Sequence, residues 1–349
     1  AINIGSTLAL TGAGSLVDSG SVIANGTFDI SNTTSGASIV SLGGSGTVTL
    51  GGKKLTLNNG LSAPVANNTF SGVIGGTGGQ LALTGGMEVL TGANTYDGGT
   101  SISSGATLQV GNNGTTGSIA GNITDGGTLA FYRTDALTYG GVISGGGALQ
   151  QLGAGTLTLT GANTYTGGTA ILAGTLQLGD GTTDGSITGD VANSSALVFD
   201  NTAATTFGGV ISQNGTLAQN GTGALTLTGT NTYSGGTAIN AGTLLVGSNT
   251  ALGSGAVSMA AGTTLGFSAS GLDLSNAITL NGAATFDVTS GQDQVDGDIG
   301  GAGSLIKTGA GTLLAGGSNN YSGGTTVDAG TLSVNGSANL GATASTITL

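Results

Sequence analysis

Between Gly153 and Gly179 apolar and polar positions trade places one by one. Leu157 and Leu159 alternate with Thr156, Thr158 and Thr160, and Leu176 and Leu178 alternate with Thr175 and Gln177. A period of two places the leucines on one face of an extended strand and the polar residues on the other. Threonine suits the outer face, because branching at Cβ favours extended backbone. Gly-Gly pairs punctuate the strands and supply the positive φ that corners require. Helical periodicity is convincing nowhere, so the pattern predicts an all-β chain with many tight turns.

This pattern belongs to a phrase that occurs four times: 93–111, 162–179, 230–247 and 319–336. Its anchors Tyr96, Tyr165, Tyr233 and Tyr321 are 69, 68 and 88 residues apart. SGVIG (71–75), GGVIS (140–144) and GGVIS (208–212) follow the same spacing, each preceded by an aromatic: Phe70, Tyr139 and Phe207. Phe131 and Phe199 form a further aromatic pair, with Phe131 expected to face inward. Long-period repeats of short strands and glycine turns indicate a solenoid. Three coils per unit would take about 23 residues each. The last spacing is longer than the one before it by close to one coil, which adds a rung without inverting the inward and outward faces. The expected fold is therefore a right-handed parallel β-helix of about fifteen rungs, on the order of 70 Å long at roughly 4.8 Å per rung.

One continuous segment, 1–349, is expected. Rungs are degenerate over 1–70, and repeat units are clearer over 71–139, 140–207 and 208–349. One register conflict stands out. Glu88 aligns with the inward Leu157 and Leu225, and burying a lone carboxylate is costly. A one-residue bulge that turns Met87 and Val89 inward is expected instead.

Composition narrows the chemistry. The 349 residues include 74 glycines, one proline, and no cysteine, histidine or tryptophan. Disulfides, thiolate metal sites and imidazole chemistry are thereby excluded. Hydrophobic residues make up 37%, too many for a disordered glycine-rich chain. The net charge of −12 leaves only Lys53, Lys54, Arg133 and Lys307 as basic side chains, which speaks against nucleic-acid binding and docking on anionic lipid. No apolar run is long enough for a membrane-spanning helix, and since Ala1 opens directly in a strand-like stretch, any export signal is expected to have been removed or to lie outside these residues.

The segments 153–179, 221–247 and 307–336, with 93–111 as a fourth copy, resemble the autotransporter-associated β-strand repeat, also called the passenger-associated transport repeat. Gram-negative autotransporter passengers carry this repeat. The resemblance implies a right-handed parallel β-helix exported through a C-terminal outer-membrane β-barrel, which is expected not to be among these residues. It associates the repeat with secretion and folding, not with catalysis. The family often has Lys before the TGAG-type turn; Lys307 keeps it, while Gln151 and Gln219 stand at the matching positions.

Candidate chemistry is sparse. Without His or Cys the common nucleophile–base pairs cannot form, so no catalytic residues and no cofactor are expected. Asp293, Asp296 and Asp298 are calcium candidates, although a solvated acidic turn is the preferred reading and no metal is expected. Tyr132 and Arg133 replace Asp200 and Asn201 of the next unit and could contact a partner or glycan; the plainer role for Arg133 is an ion pair with Asp135. The repeated tyrosines are expected to pack corners, and Asn94, Asn163, Asn231 and Asn319 to serve turns. The reading that follows is a non-catalytic extracellular stalk or adhesin segment of a virulence-type autotransporter. It would be held at or released from the cell surface and meet a receptor or glycan. Head-to-tail self-association into a filament or surface layer and polysaccharide processing are the alternatives.

Overall fold

A computed structural model describes residues 1–16, 21–58, 68–342 and 346–349. Asn59 and Gly60, at the end of the strand-like 41–60 stretch, lie outside the described residues, as does part of the 1–70 region. The chain groups into two compact units, Ala1–Thr175 and Leu176–Leu349. Both are built from parallel strands stacked as a β-solenoid, about sixteen turns in all. Ser337–Asn339 is a single 3-10 turn. Among the described residues no helix is long and apolar enough to cross a membrane.

In the first unit the chain winds through three faces in turn. Thr47–Thr49, Lys54–Asn58 and Thr69–Phe70 belong to three different sheets, and Val73–Gly75, Gln80–Gly85 and Met87–Leu90 repeat the circuit one turn on. Each strand pairs in parallel with the strand one turn away, so inward residues stack in columns: Leu55, Leu81, Thr100, Ile123 and Ile143 form one. In the second unit Leu225, Leu244, Leu265, Phe286, Lys307 and Val327 form another. The core is these columns of Leu, Ile, Val and Phe, almost all fully buried. Alternation is what makes this possible, because every second side chain reaches the axis.

The length of a rung shows in the bonds that join one rung to the next: Asn163 reaches Ile143, and Asn231 reaches Ile211, each across 20 residues. The successive partners of the second column are spaced in the same way. A rung is therefore shorter than three coils per repeat would give, because glycine corners turn the chain in very few residues. One repeat then amounts to about three and a third turns. Successive copies of the phrase accordingly fall on different sheets: Leu81, Leu149, Leu217 and Leu305 occupy matching positions in four of them. The longer spacing before the last copy inserts one rung, as the sequence indicated.

The expected bulge at Glu88 is absent. Met87–Leu90 pairs without a register shift, Glu88 opposite Leu108, and Glu88 is fully buried while Met87 is 37% exposed. An uninterrupted ladder of backbone hydrogen bonds holds the carboxyl group in the core.

Candidate functional site: a buried repeat signature and two surface grooves

The residues that recur in every copy are consumed in building rungs. Tyr96, Tyr165, Tyr233 and Tyr321 are fully buried, and their hydroxyls bond Thr100, Thr169, Thr237 and Thr325 at 2.8, 2.6, 2.6 and 2.7 Å. A corner turn between the two residues brings them together, and the threonine satisfies the phenol where water cannot. Burial pushes all four phenols above their ordinary value. Asn94, Asn163, Asn231 and Asn319 accept, through Oδ1, the backbone N–H of Ile74, Ile143, Ile211 and Ile299, 20 residues back. Asn94 also donates forward to Ser118 O, Asn231 to Ala251 O and Asn319 to Asn339 O. This explains why the NTY and VIS phrases share a spacing: the asparagine of one pins the isoleucine of the other. The recurring aromatics also meet, Phe131 with Tyr139 at 6.0 Å and Phe199 with Phe207 at 5.8 Å between ring centres.

The position before the TGAG-type turn holds a nitrogen donor inside the core. Gln151 Nε2 donates to Gly153 O and Gly155 O, and Gln219 Nε2 to Gly221 O and Gly223 O, all at 2.9–3.0 Å. Lys307, stacked between Phe286 and Val327 and fully buried, sends Nζ to Thr308 O, Gly309 O and Ala329 O. Burial lowers its pKa, and Asp287 partly restores it. An amide and an ammonium thus do one job, capping turn carbonyls that face inward.

Asp125 is an oddity that sequence reading missed. It is fully buried, Oδ1 accepts from Gly127 N at 2.9 Å, and Oδ2 is buried without a partner. Burial raises its pKa, against a pull from the amides of Gly127 and Leu129. Packing is tight: a Cβ on Gly147 would collide with the carboxyl group. Asn193 stands at the matching place in the next unit. Its Oδ1 accepts from Ser195 N and its Nδ2 donates to Thr216 O at 2.8 Å. The Asp-for-Asn exchange was the available signal.

Arg133 is not a free contact residue. Its guanidinium grips Asp135 with two bonds (3.0 and 2.8 Å) and donates to Gly117 O and Thr115 O, with its side chain only 12% exposed. The bonds fasten the loop 111–118 to the solenoid wall. Asn201, its counterpart in the next unit, fastens the matching loop by pairing with the peptide of Gly185 at 2.9 and 3.0 Å. Tyr132 is half-buried beside it. The plainer reading of Arg133, an ion pair with Asp135, therefore holds, and the weaker candidate role as an exposed contact falls away because the rest of its fork is spent on the loop. A groove of about 510 Å³ opens beside this clamp, between Arg133, Leu137, Thr91 and the 115–118 backbone.

Asp293, Asp296 and Asp298 do not converge. Asp293 is buried, in register with Leu313, and takes the backbone N–H of Leu272, so the solvated-turn reading fails for it: the strand Gln292–Val295 turns it inward. Burial raises its pKa. Asp296 accepts from Gln294 and Asp298 from Ser318 N. Among the described residues no group of three or more acidic side chains is placed to hold a metal ion.

A second groove, of about 290 Å³, crosses three rungs of the first unit. Gln80 and Asp97 flank one side, Asn122 and Thr124 the other, and Gly98, Gly99 and Ser101 form its floor. The floor is kept low by backbone needs, since Gly99 has φ +98° and a Cβ on Gly98 would collide with the carbonyl of Gly78. Asp97 stands where the other copies carry Thr166, Ser234 and Ser322.

The passenger-associated-transport-repeat family matches this chain at residues 78–110, 149–178, 217–246 and 305–334. The chain is also similar to the adhesin BmaC autotransporter of Brucella suis biovar 1 (strain 1330), 35% identical over 139 residues that cover 34% of this chain and 4% of that protein. It thus spans a small fraction of that relative's length. No solved structure matches it. The matched repeats coincide with the four buried Tyr–Thr corners, so the chain carries four passenger-associated transport repeats and is similar over part of its length to an autotransporter adhesin.

Proposed function

We propose that this segment is a non-catalytic stalk or adhesin section of an autotransporter, displayed outside a Gram-negative cell. One observation carries the reading: the recurring tyrosines with their threonine partners, the recurring asparagines, and Gln151, Gln219 and Lys307 before the turn are all buried and committed to hydrogen bonds that build the rungs. Selection for such residues is selection for a wall, with recognition left to positions that differ between copies. The likeness to a protein named as an adhesin supports the same reading. The scarcity of basic groups, with no histidine or cysteine, leaves little for acid–base or nucleophilic chemistry. The test is display. The chain, fused to an outer-membrane β-barrel translocator, is expected to reach the cell surface, resist external protease and raise adhesion to host-cell or glycan-coated surfaces. Display without any gain in adhesion would reduce the role to a spacer, and turnover of a polysaccharide by the purified chain would overturn it.

A further inference from the structure

We propose that the groove at Asp97 docks an uncharged or amine-bearing sugar chain. The proposal deepens the adhesin reading and rests on it for its biological setting. Its open polar groups are of sugar-binding type. The side chain of Gln80 has no hydrogen-bond partner among the described residues, and Ser101 and Thr124 present hydroxyls to solvent. Asp97 spends Oδ1 on Gly78 N and Asn122 spends Oδ1 on Val142 N, which leaves Asp97 Oδ2 and Asn122 Nδ2 facing outward. These two bonds fix both side chains, so an acceptor and a donor are held ready on opposite sides of the groove.

Its size, near the lower end of small-ligand pockets (about 300–1,000 Å³), suits one or two pyranose rings. A peptide fits less well. Leu81 and Thr100 are buried in the floor and offer no apolar anchor, and Thr100–Ile102 is already paired on both edges, so no strand can be added. The sign of the field selects among sugars. Asp97 and a net charge of −12 repel sulfated or uronic chains, while the carboxylate can pair with an amine or accept from hydroxyls. No aromatic ring lines the groove, so each site binds weakly, with a dissociation constant on the order of 1 mM, and repeated sugar units on a surface supply avidity.

The neighbouring copies provide variants that keep the fold. Asp97→Thr and Ser101→Ala install the residues found at Thr166 and Ala170, and Thr124→Ala installs that of Ala192. Saturation-transfer NMR on the 349-residue chain, with the glucosamine disaccharide as probe, is expected to report binding. The Asp97→Thr/Ser101→Ala variant is expected to bind at least tenfold more weakly with an unchanged melting temperature, and Thr124→Ala to weaken binding severalfold. N,N′-diacetylchitobiose should bind and a heparin disaccharide should not. Absence of transfer to the parent chain, equal binding by the double variant, or equal binding of the heparin disaccharide would each overturn the proposal. Because the assay uses purified chain, a displayed chain that adheres while ignoring these sugars removes the groove and leaves the adhesin reading standing.

Discussion

Replacing Asp125 by Asn should stabilise the protein at neutral pH and do little in acid. Asn193 shows how the site is satisfied: an amide nitrogen gives its proton to the carbonyl of Thr216, 23 residues on. By the same offset an amide at position 125 would reach the carbonyl of Ala148, whereas the buried Asp125 Oδ2 has no partner and, when ionised, no proton to offer one. The unfolded carboxyl ionises near about 3.9. Burial places the folded value higher. Between the two values the folded chain binds more protons than the unfolded one, so stability is full below the lower value and falls as pH rises through the upper one. Each unit of displacement costs about 1.4 kcal/mol above both, and a buried oxygen without a partner costs about 1–3 kcal/mol. Asp125→Asn should therefore gain about 1–3 kcal/mol at pH 7.5, seen as about 2–4 °C of melting temperature per kcal/mol. At about pH 3, below the unfolded value, the gain should vanish. The mirror change, Asn193→Asp, should lose stability at neutral pH and recover it in acid. Far-UV circular dichroism melts at the two pH values decide the matter. An Asp125→Asn protein no more stable than the parent at pH 7.5, or equally shifted at both pH values, would refute the reasoning.

Lys307→Gln should be close to neutral in a urea titration at pH 7, because Gln151 and Gln219 already cap equivalent turns, whereas Lys307→Leu should cost about 1–3 kcal/mol by leaving inward carbonyls unmet. The folded ammonium has a lowered pKa, so the parent's stability should rise as pH climbs from that value toward the unfolded one near about 10.4, a rise that Lys307→Gln abolishes. Absorbance titration at alkaline pH should leave the four corner tyrosines silent as pH passes the ordinary phenol value of about 10, with their ionisation appearing only on unfolding; Tyr165→Phe should cost about 1 kcal/mol. Arg133→Ala should release the loop 111–118 to limited proteolysis, with cleavage sites mapped by mass spectrometry, and an intact loop would show that the clamp is dispensable.

Much of the fold was legible because it depends on local alternation. Leu157 and Leu159 read as inward from their threonine neighbours and are inward. Tyr165 read as a corner residue and is one. Residues per turn were less legible, since the repeat length holds a whole number of phrases but not of turns. Glu88 and Asp293 were misplaced for a shared reason. Desolvation penalties argue that a carboxyl should leave the core, yet here strand pairing fixes the register and the side chain follows it. Arg133 was half-read: its partner Asp135 is two residues away and visible in the sequence, while Gly117 and Thr115 come from the previous rung and are not. The groove at Asp97 left only one trace, an acid where three other copies carry a hydroxyl.

The mismatch between repeat length and turn length has a consequence for how such a chain can fold. Near-identical segments stacked directly on one another form in-register zippers, and a strand searching for its edge would find several equivalent partners. With about three and a third turns per copy, each copy of a strand belongs to a different sheet from its twins. A growing edge therefore meets a sequence unlike the one just added. Repetition supplies one well-tested building phrase, and the fractional turn gives every copy its own address.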